Sequence, residues 1–466
     1  AEDGKATPNP DFLTKLEAEE VGGKTVVTVA VNEKATWGSG RKWDSEDIKA
    51  SFDHVNDPSY SWASTSGLDK IEKVEIVDKQ TAKITFNSVY PDWSAALATL
   101  YPKELVADAT TFNESMAGAT KFNNDYFAGP FKIKSYDESK QIITLERNDK
   151  WWGAAPKLET VTLHVLDDSA LGQAFANKEI DVLDYIFSAD VYQQASGRDD
   201  AEVRQNTGLQ WRHIMFNASS GPLADKAVRQ AIVRATNREA IATSDLAGLP
   251  VDAKKTLMGN RFFLPVQEGY VDNSADWSFD VEAAKKLLDG AGWVAGSDGV
   301  RTKDGERLEL VMTIPTNAPV ATNEANLLQK QLGEVGIAIT VSTVEIDKYF
   351  PEYINKKNYA MTAFTTENTQ YPLSTVGHYY ASTSQSNYTG LSVPEVDEYV
   401  TKIGSTPDGA ERNKLANELD KILWENVFNI PIYQRMQLTA APKTLRNFGA
   451  QGLASFRPEN IGYVKS

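Results

Sequence analysis

The side chains able to do chemistry are unevenly supplied in this chain. Its 466 residues hold four histidines, His54, His164, His213 and His378, and no cysteine. No two histidines stand at HExxH or i,i+4 spacing, so a hydrolase-type zinc site has no helix face to form on. Without cysteine there are no disulfides, thiolate nucleophiles or Cys-ligated metals. Carboxylates are abundant, with 64 Asp and Glu and adjacent pairs at Glu19-Glu20, Asp167-Asp168 and Asp199-Asp200. A glycosidase needs two of them facing one another across a cleft. With so many acids, neighbours along the chain arise by chance. Dinucleotide, P-loop, nucleophile-elbow and EF-hand patterns are absent. No catalytic residue, cofactor or metal ligand is assigned.

Aromatic side chains are the second resource: 10 Trp, 18 Tyr and 18 Phe. Several stand beside turn residues rather than inside periodic runs. Trp37-Gly38, Pro91-Asp92-Trp93, Trp211 and Tyr371-Pro372 are examples. Aromatics on loops can line a ligand pocket, and they can equally plug corners of a core.

The elements that would hold these residues follow from periodicity. Phe131 and Ile133 alternate with Lys132 and Lys134, a polar turn covers Asp137 to Lys140, and alternation resumes from Ile142, which reads as a hairpin. Thr25 to Val31 reads as a strand, and Lys73–Val77 with Lys83–Phe86 as a hairpin. Asp44 to Asp47 opens a helix carrying Ile48, Phe52 and Val55 on one face. Further on, Ala227–Ala242 reads as one helix. Asp280 caps another that stops at Gly290. Asp304-Gly305 is a hairpin turn. A helix bearing Leu328, Leu332 and Val335 precedes a strand from Ile337 to Val344. Ala410–Phe428 is a long amphipathic helix. His164 and His213 fall within strands and read as structural. Interleaved helices and strands make this an α/β protein with mixed sheets. The length suits about three domains. No segment is low in complexity, which implies domains crossed more than once by the chain. A net charge of −16 argues against nucleic acid as a partner.

The stretch Ala128–Gly153, AGPFKIKSYDESKQIITLERNDKWWG, resembles a hairpin of the family 5 extracellular solute-binding proteins, receptors of peptide-type ABC importers. Five later segments resemble the family in the same order. They are AVRQAIVRATNREAIA, FDVEAAKKLLDGAGW, LLQKQLGEVGIAITVSTVE, SNYTGLSVPEVDEYV and NIPIYQRMQLTA.

The resemblance implies a periplasmic-binding-protein-like fold of class II (cluster C), with two lobes on a hinge and three domains. Residues 1–157 would form domain II, 158–241 domain I, 242–439 domain III, and 440–466 the return to domain I. On that reading the chain would begin where domain II usually begins, without the family's opening strand and helix of domain I. Trp151-Trp152-Gly153 would wedge the chain back against domain I. The function implied is capture of short peptides in the interlobe cleft for an ABC permease, not catalysis. Oligosaccharide or nickel-chelate receptors of the same family are the alternatives, and a glycoside hydrolase is the rival of another class. Relatives hold the peptide amine with an acid in a domain III loop. Here Phe364 to Pro372 matches that loop with Glu367 at the acid position, although the spacing to Pro372 is one residue longer. Asn368 and Tyr371 would follow Glu367, while Trp93 from domain II and Asn217 from domain I would add contacts. The resemblance further implies a monomer outside the cell. It would be tethered by an N-terminal lipid in Gram-positive relatives and periplasmic in Gram-negative ones, and the spelling is closest to actinobacterial members.

Overall fold

Alternation builds the first sheet. In the computed structural model, which describes residues 7–464 apart from 63, 64, 66, 98 and 117–121, strand β1 (Leu13–Val21) pairs with β2 (Lys24–Val31). Thr25, Val27, Val29 and Val31 of β2 are buried and the residues between them are not. Helix α1 (Ser45–Asp53) starts where Asp44 accepts hydrogen bonds from the Glu46 and Asp47 amides, and it lays Ile48 and Phe52 on the sheet. Strands β3 (Ile71–Ile76) and β4 (Thr81–Phe86) complete the antiparallel order β1-β2-β4-β3. Short helices α2 (Trp93–Ala96), α3 (Lys103–Val106) and α4 (Ala109–Met116) follow. Residues 1–6 of the polar opening segment lie outside the described residues.

The expected hairpin is β5 (Phe131–Asp137) with β6 (Ile142–Arg147), extended by β7 (Thr160–His164) in the order β5-β6-β7. The tryptophan pair at its end does not wedge against domain I. Trp152 donates its ring N–H to Asp11 O at 2.5 Å and meets Phe12 edge-on at 5.2 Å, while Trp151 lies 5.6 Å from Phe12. The apolar surface already offered by Phe12, Trp37 and Trp43 draws the pair into the first sheet's domain.

Helices α5 (Asp168–Ala176) and α6 (Ala189–Ser196) pack on the start of the 16-residue strand β8 (Ala201–Phe216). The segment expected as one helix is two, α7 (Lys226–Ala235) and α8 (Arg238–Asp245). The break falls at Thr236-Asn237, where Asn237 caps α8 by accepting from the Ala240 amide at 2.9 Å. Helix α9 (Val281–Gly290) is capped by Asp280 as expected. A small sheet of β9 (Val294–Ala295), β10 (Arg301–Lys303) and β11 (Glu306–Arg307) contains the Asp304-Gly305 turn, with both residues at positive φ.

Next come β12 (Glu309–Pro315), α10 (Pro319–Gly333), β13 (Ala338–Val344), α11 (Ile346–Lys348), β14 (Met361–Glu367), α12 (Val376–Tyr380), α13 (Pro394–Ser405) and α14 (Gly409–Asn426). Strand β15 (Asn429–Pro442) closes a five-stranded sheet of order β13-β12-β14-β8-β15. Strands β12, β13 and β14 are parallel to one another, and β8 is antiparallel to both neighbours. The pair β16 (Leu445–Arg446) and β17 (Gly462–Tyr463) ends the fold.

The two long strands connect the lobes. Ala201 of β8 and Leu438 and Ala440 of β15 belong to the core of α5 and α6 in the first lobe. Ile214, Phe216, Ile430 and Ile432 belong to the core of the second lobe with α7–α10. The core therefore divides inside β8 and β15, near residues 208–210 and 434–436, and not at the expected 241/242 boundary. Residues 211–241 pack in the second lobe because the apolar faces of α7 and α8 lie against α9, α10 and β12.

Candidate functional site

The strand register breaks where the lobes meet. Gln434 pairs with Trp211 and Met436 with Thr207, so Gly208, Leu209 and Gln210 stand opposite Arg435 alone. Such a bulge bends a strand and loosens its pairing. A Cβ on Gly208 would lie 2.2 Å from Arg435 O, so only glycine fits there. Gln434 Nε2 donates to Gly208 O at 2.7 Å and secures the bulge. Two strands with a shared irregularity form a natural hinge.

Glu367 ends β14 beside this hinge. It pairs in register with Gln210, whose side-chain amide lies 3.4 Å from Glu367 Oε2, and it is exposed. Among the described residues no Lys, Arg or His lies within ion-pair distance of it. From the first lobe, Tyr185 faces its field: burial, then the charges of Glu367 and Asp184, push that phenol up. Tyr185 stacks on Phe187 at 5.1 Å, and the Arg435 guanidinium lies 4.8 Å from the centre of the Phe187 ring. Arg435 is half-buried with no carboxylate partner among the described residues, and burial, then the Arg212 charge, lowers its pKa. Glu367 and Arg435 thus sit on the two strands flanking β8, with backbones about 10 Å apart by strand spacing.

The other expected residues take different places. Asn368 accepts from Trp211 Nε1 at 3.0 Å and donates to Phe262 O at 2.8 Å, and its backbone amide bonds Leu209 O. Its side chain therefore clamps the loop after β14. Tyr371 is half-buried in the next turn, with its amide on Thr369 Oγ1. Asn217 follows the opposite end of β8, about 20 Å along the strand from Glu367. Its amide donates to Lys357 O, and its carbonyl oxygen accepts from the Ser219 amide and hydroxyl. The structure does not bring Asn217 to the cleft. Trp93 packs against the first sheet's core. Its neighbour Asp92 makes a contact that the sequence did not reveal. Arg412 of α14, in the second lobe, reaches Asp92 Oδ2 at 2.5 Å, with both side chains nearly buried. Gln370 Nε2 also crosses between the lobes, to Leu453 O at 2.9 Å. The described conformation is closed.

Beneath the sheet, His213 is buried and touches Thr366 Oγ1 through Nε2 at 2.8 Å. Burial, then the Arg212 and Arg261 charges, lowers its pKa to about 3, so the ring is neutral. Arg212 forks onto Glu324, and Arg261 pairs with Asp420 at 2.9 Å; these are internal braces. Among the described residues no three His, Asp or Glu side chains converge to hold a metal ion.

A family model for bacterial extracellular solute-binding proteins, family 5 (middle region), matches residues 7–389. The chain belongs to this family. Family 5 proteins are the substrate-binding components of ABC importers rather than enzymes, and they work outside the cytoplasm. The oligopeptide-binding protein OppA of Mycobacterium tuberculosis is 30% identical over 99% of this chain and 78% of its own. The periplasmic EDTA-binding protein EppA superposes with a TM-score of 0.88 at 22% identity, covering 98% of this chain and 88% of that one. Bacillus subtilis AppA, solved with a nonapeptide, gives 0.83 at 19% identity, covering 97% and 90%. The family 5 fold, with its two lobes and mixed sheets, is the one the resemblance implied. No helix among the described residues is long and apolar enough to cross a membrane.

Proposed function

We propose that the chain captures short peptides between its lobes, with Glu367 taking the amino terminus and Arg435 the carboxylate end, and delivers them to an ABC permease. The observation that carries this is the pair itself. An exposed carboxylate and a half-buried guanidinium, neither ion-paired among the described residues, flank β8 at the hinge. Ligand bridging both lobes favours closure, because its contacts are complete only in the closed form. Asn368 and Tyr371 shape the loop that carries Glu367. The OppA relative and the nonapeptide held by AppA support a peptide ligand. Action as a monomer and attachment through an N-terminal lipid are parts of the same proposal.

Calorimetric titration with tripeptides tests it. Glu367→Gln is expected to weaken binding about ten- to a hundred-fold, the worth of a hydrogen bond to a charged group. Acetylating the peptide's amine should weaken binding by the parent protein and leave the variant unchanged. Parent affinity that is blind to acetylation would overturn the reading.

Arg435 also favours a second reading, an anionic metal chelate like the ligand in EppA's name. The carboxylate of Glu367 would then repel the ligand. Glu367→Gln would strengthen its binding, the opposite of the peptide outcome.

A further inference from the structure

Close to Arg435, where the core divides between the lobes, stands a pair of acids that ligand capture as proposed above does not use. Asp245 of α8 accepts from Asn323 Nδ2 through Oδ1 at 2.6 Å. Its other oxygen, Oδ2, is buried without a donor among the described residues. Glu324 of α10 is fully buried, is forked by Arg212, and lies within hydrogen-bonding reach of the Asp245 carboxyl. A cavity of about 20 Å³, room for one water, adjoins Asp245. Tyr433 and Arg435 of β15 line it, and the first lobe supplies Ile186 and Phe187. The cavity therefore straddles the hinge.

Two touching carboxyls with one guanidinium to share resist ionising together. With one proton between them, one acid donates to the other and the repulsion is gone. Burial, then the Glu324 charge, raises the Asp245 carboxyl to about 7, against the opposing pull of Asn323 and Arg212. Among the other groups facing it, Tyr433 is neutral because burial pushes its phenol up. Arg435 is the remaining charged group on the lining, and the rest of the lining is apolar.

We propose that this pair is a proton switch on lobe closure: the shut hinge holds one proton between Asp245 and Glu324, and opening releases it to water. The proton comes from the solvent as Ile186 and Phe187 close over the cavity and take Asp245 out of bulk water. Parting the lobes wets the carboxyl again and ionises it. A ligand carboxylate on Arg435 faces the same cavity and adds to the preference for the protonated pair. The closed form keeps the proton below about pH 7, so capture is stronger there and weakens as pH rises through that value. This rests on the reading that ligand shuts the lobes, and not on which ligand does so.

The test is calorimetric titration of the full chain with a tripeptide at about pH 6.5, in PIPES and again in bis-Tris. The two buffers differ in ionisation heat, so the pair of titrations counts the protons taken up per ligand bound. About half a proton or more is expected for the parent and close to none for Asp245→Asn, which should still bind. From pH 6 to 8 the parent's affinity should fall about ten-fold, and the variant's by about two-fold at most, the share owed to the peptide amine. Asp245→Ser serves if Asp245→Asn does not fold. Equal proton counts in parent and variant would overturn the proposal, as would a parent that takes up none. If a nickel–EDTA chelate binds and tripeptides do not, the peptide reading falls, and the same count made with the chelate decides the switch.

Discussion

Arg412 on α14 and Asp92 just before α2 are 320 residues apart in the chain and 2.5 Å apart in space, and their ion pair joins the two lobes. Arg412 also donates through Nε to Ile403 O at 2.9 Å, which fixes its direction within the second lobe. The pair needs no ligand, so it favours the closed form by itself. Breaking a buried pair leaves the other charge uncompensated, at about 3–5 kcal/mol if the lobes stay shut. Opening relieves that cost by wetting the charge. Asp92→Asn is therefore expected to shift the protein toward an open form and weaken ligand binding. Small-angle scattering should show a larger radius of gyration, and Asp92→Asn/Arg412→Met should bind better than either single variant. A single variant as compact as the parent, with unchanged affinity, would show that the pair does not hold the lobes.

Gly208 makes a second prediction. Its missing Cβ lets Arg435 O approach, and no rotamer can relieve a clash between a Cβ and backbone. Gly208→Ala should displace β15 at the bulge and move Arg435 away from Phe187. Ligand affinity is expected to fall about ten-fold or more while far-ultraviolet circular dichroism stays the same, since backbone strain of this kind costs about 1–3 kcal/mol. Unaltered affinity would show that the bulge does not position the hinge.

The two asparagines separate structure from binding. Asn217→Ala removes three side-chain hydrogen bonds at the far end of β8, so it should lower the melting temperature and leave affinity alone. Asn368→Ala unclamps the loop holding Glu367 and should do both, with about 1–3 kcal/mol of stability lost for the partners left unsatisfied. Affinity loss in Asn217→Ala would return that residue to the cleft.

Much of the fold was legible because the deciding interactions are local. The period-2 runs at β2, β5 and β6, the Asp280 cap and the Asp304-Gly305 turn each carry their cause within a few residues. The break between α7 and α8 is local as well, but an unbroken apolar face across Thr236-Asn237 hid it; the readable signal was Asn237, a good cap. The candidate site was legible only in part. Glu367 came from resemblance to a loop. Arg435 had a weaker signal, standing two residues after Tyr433 on the same strand face. The Asp92–Arg412 pair had none, because a contact spanning 320 residues leaves no spacing to read. The direction of the tryptophan pair also depended on a distant partner, Phe12, and was misjudged for that reason.

A buried and a half-buried group give opposite pH signatures in stability. The pKa of His213 is lowered from its ordinary 6.5 to about 3, so the unfolded chain binds a proton there that the folded one refuses. Stability from this residue is complete above about pH 6.5 and falls as pH drops toward 3, at up to about 1.4 kcal/mol per pH unit. Asp245 goes the other way. Burial, then the charge of Glu324, raises its carboxyl from 3.8 to about 7. Other groups facing it are Asn323, which donates to Oδ1 at 2.6 Å, and Arg212, whose charge opposes the rise. The folded state holds this proton between about pH 4 and 7, so stability falls as pH rises through that window. Asp245→Asn, whose amide stays neutral throughout, should therefore melt higher than the parent at pH 8, with the difference shrinking to nothing near pH 4. His213→Gln should flatten the parent's loss of stability between pH 6 and 4. Melting curves of the two variants across pH 4–8 decide it. Parallel parent and Asp245→Asn curves would mean that Asp245 is ionised in the folded state, with Arg212 compensating both it and Glu324.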